Sequence, residues 1–247
     1  LDVMDCYVNG DSCYGNNPAS PYGYPLFKDF VRLKLGPSEA VVLFMRTPPE
    51  ARYYGFTQYL ITRGRSLRQV LASLSDTLNH LSFSTLQTPE PGAYSFNQYA
   101  VLVWTADMNT LASVKTQLAA QGIPESRVNF LPIPVGLPLY MGYGEDADTF
   151  SILLRVAMPK VQAEFDQYRL DNPFFAVKVG PKAPPPPSPA PIIGYKSEIS
   201  GVSEVATYGP ALDALMRDIK VNYAKRYALR TQQVTYISAI GWECIDG

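Results

Sequence analysis

Length, composition and charge exclude several classes of protein at once. The chain has 247 residues, 47% of them apolar, and a formal net charge of −1 from 21 Lys and Arg against 22 Asp and Glu. Nucleic-acid-binding proteins carry a basic excess, disordered chains combine few apolar residues with a large net charge, and a membrane-spanning helix needs about 18 consecutive apolar residues. None of these patterns is present. The composition therefore predicts a globular protein with its own core, no nucleic-acid partner and no membrane span.

The first 25 residues form an arm rich in turn-forming residues and tyrosine, and they contain Cys6 and Cys13. The flexible six-residue spacer between these cysteines favours a disulfide, because zinc would need a closer pair and further ligands. Cys244 is then left over. It suggests a chain that continues past Gly247 and supplies its partner, a partner in another molecule, or a buried free thiol. The start at Leu1 fits a mature exported chain as well as a trimmed one, and the disulfide favours an extracellular or cell-surface location.

Two extended runs follow the arm, AVVLFMR and RYYGFTQYLITR, with Pro48-Pro49 at the corner between them. They predict neighbouring antiparallel strands. In residues 66–81 apolar side chains then recur at the spacing of three and four that is typical of a helix face: Leu67, Val70, Leu71, Leu74 and Leu78. This segment predicts a helix with Ser66 as N-cap, or a shorter helix that ends in a turn at Ser75-Asp76.

Two segments have the element order strand, helix, strand. In residues 99–134, YAVLVWT predicts a strand, Asp107 or Asn109 caps a helix, Gly122 closes it in the left-handed conformation, and RVNFLPIP is the next strand. In residues 149–179, TFSILLRVAM is a strand, Pro159 starts a helix that ends at Asn172, and FFAVKVG is a strand.

Proline dominates residues 181–191, where seven of eleven residues are proline. Four consecutive prolines exclude a helix or a central strand and predict a polyproline II strut, roughly 25 Å long over residues 184–191. After it, Pro210 opens a long amphipathic helix, and Gln232 to Ile240 reads as a closing strand. The two elements after the strut are too few to form a core alone.

The predicted fold is therefore α+β. It consists of the arm 1–25 and a single domain over 26–247, whose strand–helix–strand modules, in ferredoxin-like element order, form one mixed or antiparallel sheet. The polyproline strut 181–191 crosses the surface of that domain.

Catalytic signatures are absent from the sequence. His80 is the only histidine, and no nucleophile elbow, P-loop or dinucleotide-binding glycine motif occurs. An inward-facing Arg155 would need an internal carboxylate partner or an anionic ligand. If the protein does bind a ligand, we predict a cleft lined by the polar and aromatic residues near the Pro-Pro corner, the 66–81 segment and the strand after 149: Arg52, Tyr54, Asp76, Asn79, His80 and Arg155.

An acidic loop, GYGEDADT, contains Glu145, Asp146 and Asp148 between turn-forming residues. Carboxylate oxygens in such loops bind Ca²⁺, although the spacing is not that of an EF-hand and solvated acidic loops are common. These three residues are the candidate calcium ligands, and no other cofactor is predicted.

Several phrases resemble an uncharacterised family of exported microbial and algal proteins: PPEARYYGFTQYL, SLSDTLNHL, YAVLVWTADMNT, LAAQGIPESRVN, DADTFSILLRVAMP, and ALDALMRDIKVNYAKRY with ECIDG. The resemblance spans about residues 40–247, implies export and a chain that continues past Cys244, and brings no activity or catalytic residue. Separately, PPPPSP resembles the hydroxyproline-rich struts of green-algal and plant cell-wall glycoproteins. That likeness implies hydroxylation and O-glycosylation at the prolines and the serine of the tract: Pro184, Pro185, Pro186, Pro187, Ser188 and Pro189.

Two functional hypotheses follow. The first is a secreted structural or adhesion glycoprotein that acts as a subunit of an extracellular, cell-wall or filament assembly. It rests on the strut, the unpaired cysteine, the tyrosine-rich arm and the near-neutral charge, and it predicts a homo-oligomer or a matrix partner. The alternative is a secreted enzyme or small-ligand-binding protein that uses the predicted cleft. The missing catalytic signature weighs against an enzyme.

Overall fold

The computed structural model describes residues 22–23, 32–64, 68–88, 93–134, 139–183, 188 and 204–223. The chain divides into two compact units, Leu1–Ile193 with Ile240–Gly247, and Gly194–Ala239. The single domain predicted for 26–247 stays a prediction. The predicted disulfide between Cys6 and Cys13, Cys244, the N-cap Ser66 and the closing strand 232–240 lie outside the described residues.

The first unit is mixed α+β, and its elements run in this order: β1 (Tyr22–Gly23), β2 (Ala40–Arg46), β3 (Ala51–Arg63), β4 (Arg68–Ser73), β5 (Leu78–Asn79), β6 (Tyr99–Thr105), α1 (Met108–Ala120), a 3₁₀ turn (Glu125–Arg127), β7 (Val128–Pro132), β8 (Thr149–Pro159), α2 (Gln162–Asp171) and β9 (Phe174–Val179). One sheet has the order β1-β8-β3-β4, with the short β5 also paired to β3. The other has the order β7-β6-β2-β9. All described pairs are antiparallel except β6 with β7.

The central core lies between the two sheets. Alternate residues of β3 and β8 face β2 and β6, and the largest side chains are fully buried, among them Tyr54, Phe150 and Trp104. The two sheets are also joined by hydrogen bonds, since the Trp104 indole nitrogen donates to the Gln58 side-chain oxygen at 2.7 Å. The Gln58 amide donates in turn to the carbonyl oxygen of Pro132. A buried amide with both ends paired is compatible with a stable core.

A third layer, α1, packs on the outer face of the four-stranded sheet. Leu111 and Leu118 of the helix contact Val42, Val101 and Val103 of the strands beneath it. Strand β2 has apolar residues at consecutive positions because its two faces are covered by different layers, the central core on one side and the α1 layer on the other.

The prediction for residues 99–134 is confirmed. Asp107 is the N-cap of α1, and its Oδ2 accepts a hydrogen bond from the Thr110 amide at 2.8 Å. Gly122 has a φ of +86° and its amide donates to the Ala119 carbonyl at 2.9 Å, which ends the helix. β6 and β7 then lie side by side as parallel neighbours, as expected for a strand–helix–strand unit.

The prediction of one sheet is wrong, because the strands divide between two. The runs at 40–46 and 51–63 are strands, but they are not neighbours. At Pro48-Pro49 the chain passes from the four-stranded sheet to the other one, and β3 pairs with β8 instead. The second strand–helix–strand segment likewise has β8 and β9 in different sheets. The ferredoxin-like order is therefore not confirmed, although α+β is.

The predicted helix over 66–81 is also wrong. Residues 68–73 form β4, which pairs antiparallel with β3, and 78–79 form β5 on the same strand. Gly64, which directly follows β3, has a φ of +51°, in the left-handed region that favours glycine. The apolar spacing favours a helix locally, but pairing with the long strand β3 stabilises the extended conformation, because strand formation depends on tertiary context.

Two proline positions differ from expectation. Pro159 is the last residue of β8, and α2 begins at Gln162. The helix ends before Asn172, as predicted, and Asn172 adopts the left-handed conformation. In the second unit, α3 spans Glu204–Tyr223, so Pro210 lies inside the helix and does not open it. Proline has no amide hydrogen for the helical bond to the residue four positions earlier, so one hydrogen bond of α3 is missing.

Of the described helices, none is long and apolar enough to cross a membrane.

Candidate functional site

A groove lies on the outer face of the four-stranded sheet, between α1 and strand β9. A helix with its side chains is about 10–12 Å wide and neighbouring strands are about 4.8 Å apart, so one helix covers roughly two strands. Helix α1 covers the β6 side, where Val101 and Val103 are 1% and 0% exposed. On the β9 side Phe175 is 61% exposed, and a cavity of about 490 Å³ opens there.

The floor of this groove is apolar. Val42 and Phe44 of β2 lie opposite Val177 and Phe175 of β9, so their side chains share one face of the sheet. The rings of Phe44 and Phe175 are 6.2 Å apart. Val179 continues the row towards the end of β9.

The helical wall of the groove carries hydrogen-bonding side chains at a regular spacing. Positions four apart lie above one another on the same side of a helix. On α1 and its C-cap these positions hold amides and a hydroxyl, which we call the amide row: Asn109, Ser113, Gln117 and Gln121. Every described residue that lines the groove is uncharged.

The charged residue of β9 points to the opposite face. Lys178 lies 4.0 Å from Glu39, and its ammonium group is 4.5 Å from the centre of the Tyr143 ring. The Tyr143 hydroxyl hydrogen-bonds to Glu39 and to Lys178. The pKa of Tyr143 is raised, mainly by burial and to a smaller extent by the hydrogen bond to Glu39. β9 therefore presents a charged cluster on one face and a neutral apolar row on the other.

The start of α1 is attached to the proline-rich segment. Asp107 is buried, and its Oδ1 accepts a hydrogen bond from the Ser188 amide at 2.7 Å. The Met108 amide donates to the Ser188 carbonyl at 2.7 Å. Gly180 and Pro181, which lead from β9 towards this segment, line the same end of the groove. Ser188 therefore contacts the start of α1, the helical wall of the groove.

The arrangement is suited to binding an uncharged, largely apolar group. A volume of about 490 Å³ falls within the range of small-ligand sites, roughly 300–1,000 Å³. The lining supplies apolar contacts and amide or hydroxyl hydrogen bonds, and its described residues include no acid, base or thiol for proton transfer or nucleophilic attack.

The fold and the groove define a mixed α+β protein of two stacked sheets with a neutral groove beside its outer helix. Comparison of the chain with protein-family models, with curated proteins and with solved structures finds no match.

The residues predicted to line a cleft divide between two faces of the β3 sheet. Tyr54 faces the central core, where its hydroxyl donates to the Ser95 carbonyl at 3.2 Å and burial raises its pKa. His80 lies beside it, with the rings 6.0 Å apart and the His80 amide donating to the Tyr54 carbonyl at 3.0 Å. Arg52 and Asp76 are exposed.

Arg155 and Asn79 lie on opposite sides of Gly55, each as its cross-strand neighbour. The space above Gly55 is filled, since a Cβ there would lie 2.5 Å from both the Tyr53 hydroxyl and the Thr77 methyl carbon. The six residues therefore do not line one cleft. A ligand-binding role for any of them individually stays a prediction.

In the candidate calcium loop, Asp148 points inward while Glu145 and Asp146 are exposed. The Asp148 carboxylate accepts hydrogen bonds from the Tyr140 amide at 2.8 Å and the Gly64 amide at 3.2 Å. Burial raises its pKa, and these hydrogen bonds partly oppose the rise. Within the described ranges, no three or more His, Cys, Asp or Glu side chains form a group that could hold a metal ion. Calcium binding stays a prediction.

Of the predicted modification sites, only Ser188 is described. Pro184, Pro185, Pro186, Pro187 and Pro189 lie outside the described residues, so the polyproline strut and its hydroxylation stay predictions. The groove itself was missed by the sequence reasoning. The signal in the sequence was the amide row, which is weak because polar residues four apart are also typical of a solvated helix face.

Proposed function

We propose that this protein is a non-catalytic binding subunit, and that the groove beside α1 holds an uncharged apolar part of its partner. The observation that carries the proposal is the incomplete cover of the outer face: Val177 and Val179 of β9 line an apolar floor, and Phe175, on the same face of β9 beside it, is 61% exposed. Contiguous exposed apolar surface with a polar rim is typical of interaction sites.

The neutral lining supports the choice of partner chemistry. A charged group moved into this groove would lose its water without gaining an opposite charge, which costs several kcal/mol. Apolar groups gain about 25 cal/mol for each Å² removed from water. An uncharged apolar segment is therefore the favoured occupant.

We further propose that the protein works outside the cell, as a structural or adhesion subunit of a cell-wall, surface or filament assembly. This part rests on the proline-rich tract, the Cys6 and Cys13 spacing and the leftover Cys244. The alternative, a secreted enzyme or ligand-binding protein with the cleft predicted from the sequence, has less support because those six residues do not share one face.

The uncharged dye Nile red, which fluoresces in apolar surroundings, tests the groove. Ser113 is exposed on α1 and lines the groove, so Ser113→Trp places a large side chain across its floor. We expect Nile red to bind the native protein and Ser113→Trp to weaken that binding at least tenfold.

Ala112→Trp is the matched control, because Ala112 is an exposed neighbour on α1 that does not line the groove. It should bind Nile red like the native protein. Equal loss in both variants, or no loss in either, would show that the dye binds elsewhere and that the groove is not the site.

A further inference from the structure

We infer that the groove holds an extended, uncharged polypeptide segment with an apolar side chain at every second position. This inference rests on the proposed binding function and names the chemical class of the occupant. It depends on three features of the groove: the spacing of the amide row, the apolar floor, and the absence of charge among its described lining residues.

The spacing of the amide row matches the repeat of an extended chain. Residues four apart on an α-helix are separated by about 6.0 Å along the axis. An extended chain advances about 6.4–6.8 Å over two residues, and in a strand the backbone groups of every second residue point to the same side. Ser113, Gln117 and Gln121 can therefore meet successive backbone groups along one edge of an extended segment.

The floor has a repeat of the same kind. Val42 and Phe44 are two residues apart on β2, and Val177 and Val179 are two residues apart on β9. A segment in the groove would direct alternate side chains at this floor. Because the floor is apolar, those alternate side chains are expected to be apolar.

Other occupants use less of the site. An alkyl chain fills the floor but offers no partner to the amides and hydroxyl of the row, and a sugar offers partners but places hydroxyls on the valine and phenylalanine floor. A polypeptide satisfies both surfaces, and neutral side chains suit a lining without charge.

Displacement of Nile red by two defined probes tests the inference. One is a capped, uncharged hexapeptide of alternating threonine and valine. The other is n-octyl glucoside below its micelle concentration, which carries an alkyl chain and a sugar but no peptide bond. We expect the peptide to displace the dye at sub-millimolar concentration and the glucoside to displace it more weakly.

Gln117→Leu removes one member of the row at an exposed position and keeps the side chain close in size. Loss of a single neutral hydrogen bond should lower the affinity for the hexapeptide about five- to tenfold. The glucoside should bind Gln117→Leu as it binds the native protein. A peptide N-methylated at every second residue should bind more weakly if the methylated backbone edge is the one that faces the amide row.

Three results would overturn the inference. These are displacement by the glucoside but not by the peptide, displacement by neither probe, and peptide binding that Gln117→Leu leaves unchanged. In each of them, sensitivity of Nile red to Ser113→Trp still reports on the groove. Failure of the peptide is therefore distinguished from failure of the proposed function.

Discussion

The two faces of the four-stranded sheet have similar apolar sequences but different surroundings. On the inner face, Leu43, Leu102 and Trp104 are at most 1% exposed because a second sheet covers them along their whole length. On the outer face, α1 covers the β6 side and leaves the β9 side with exposed Phe175. Phe174 and Ala176 of β9 pack against the central core and Val179 packs against the α1 layer, whereas Phe175 and Val177 belong to neither cluster. We therefore assign the outward-facing side of β9 to binding.

The largest difference is expected when apolar side chains are shortened on each face. Leu102→Ala on the inner face should lower the free energy of unfolding by about 2–5 kcal/mol, because the buried site cannot collapse around the cavity. Val177→Ala on the outer face should cost less than about 1 kcal/mol, since Val177 is only partly buried. Urea denaturation measures both. Equal losses would mean that the outer face is as fully covered as the inner one.

Two buried tyrosines predict a dependence of stability on alkaline pH. Burial raises the pKa values of Tyr54 and Tyr168 above their ordinary value of 10.0. A raised folded-state pKa gives stability that is complete below pH 10 and is lost as the pH rises towards the folded-state value. Each tyrosine should therefore lower the free energy of unfolding by up to about 1.4 kcal/mol per pH unit above 10.

Tyr54→Phe combined with Tyr168→Phe removes this alkaline loss. At neutral pH the double variant should be less stable by about 1–3 kcal/mol, since the hydroxyls donate to the carbonyls of Ser95 and Arg46. Its stability should nevertheless fall less steeply than that of the native protein above pH 10. Parallel profiles in chemical denaturation would contradict the account of these two residues.

A smaller effect is expected at the start of the outer layer. Asp107→Ala removes the N-cap of α1 and the acceptor of the Ser188 amide, and should cost about 1–2 kcal/mol. Hydrogen exchange at the Thr110 and Ser188 amides should accelerate in this variant. Asp107→Asn keeps one acceptor oxygen and should lose less. If Ser188 exchanged at the native rate in Asp107→Ala, its attachment to Asp107 would not contribute to the outer layer.

Local signals in the sequence were sufficient for the segment that builds the outer layer. Helix α1 is defined within a short stretch by its caps, Asp107 and Gly122, and by its apolar positions, Leu111 and Leu118. The extended runs on either side of it are strands that pair with each other. Caps and turns act between residues close in sequence, so they can be read from the sequence.

Pairing between distant strands could not be read in the same way. The leucines of 66–81 have helical spacing, yet residues 68–73 pair with β3, and β2 and β3 separate into different sheets although they are consecutive. The groove has the same origin. Its lining comes from β2, α1 and β9, which are separated by more than 50 residues in each case, so only the folded chain brings them together.

Methyl NMR of the valines and leucines tests the central claim most directly, by titrating the alternating threonine–valine hexapeptide into the native protein. We predict shifts for Val42, Val177 and Val179 on the groove floor and none for Leu43 of β2 and Leu102 of β6 on the inner face of the same sheet. Shifts confined to residues outside the groove, or no shifts at millimolar peptide, would contradict the claim that the open half of the outer face is a binding site.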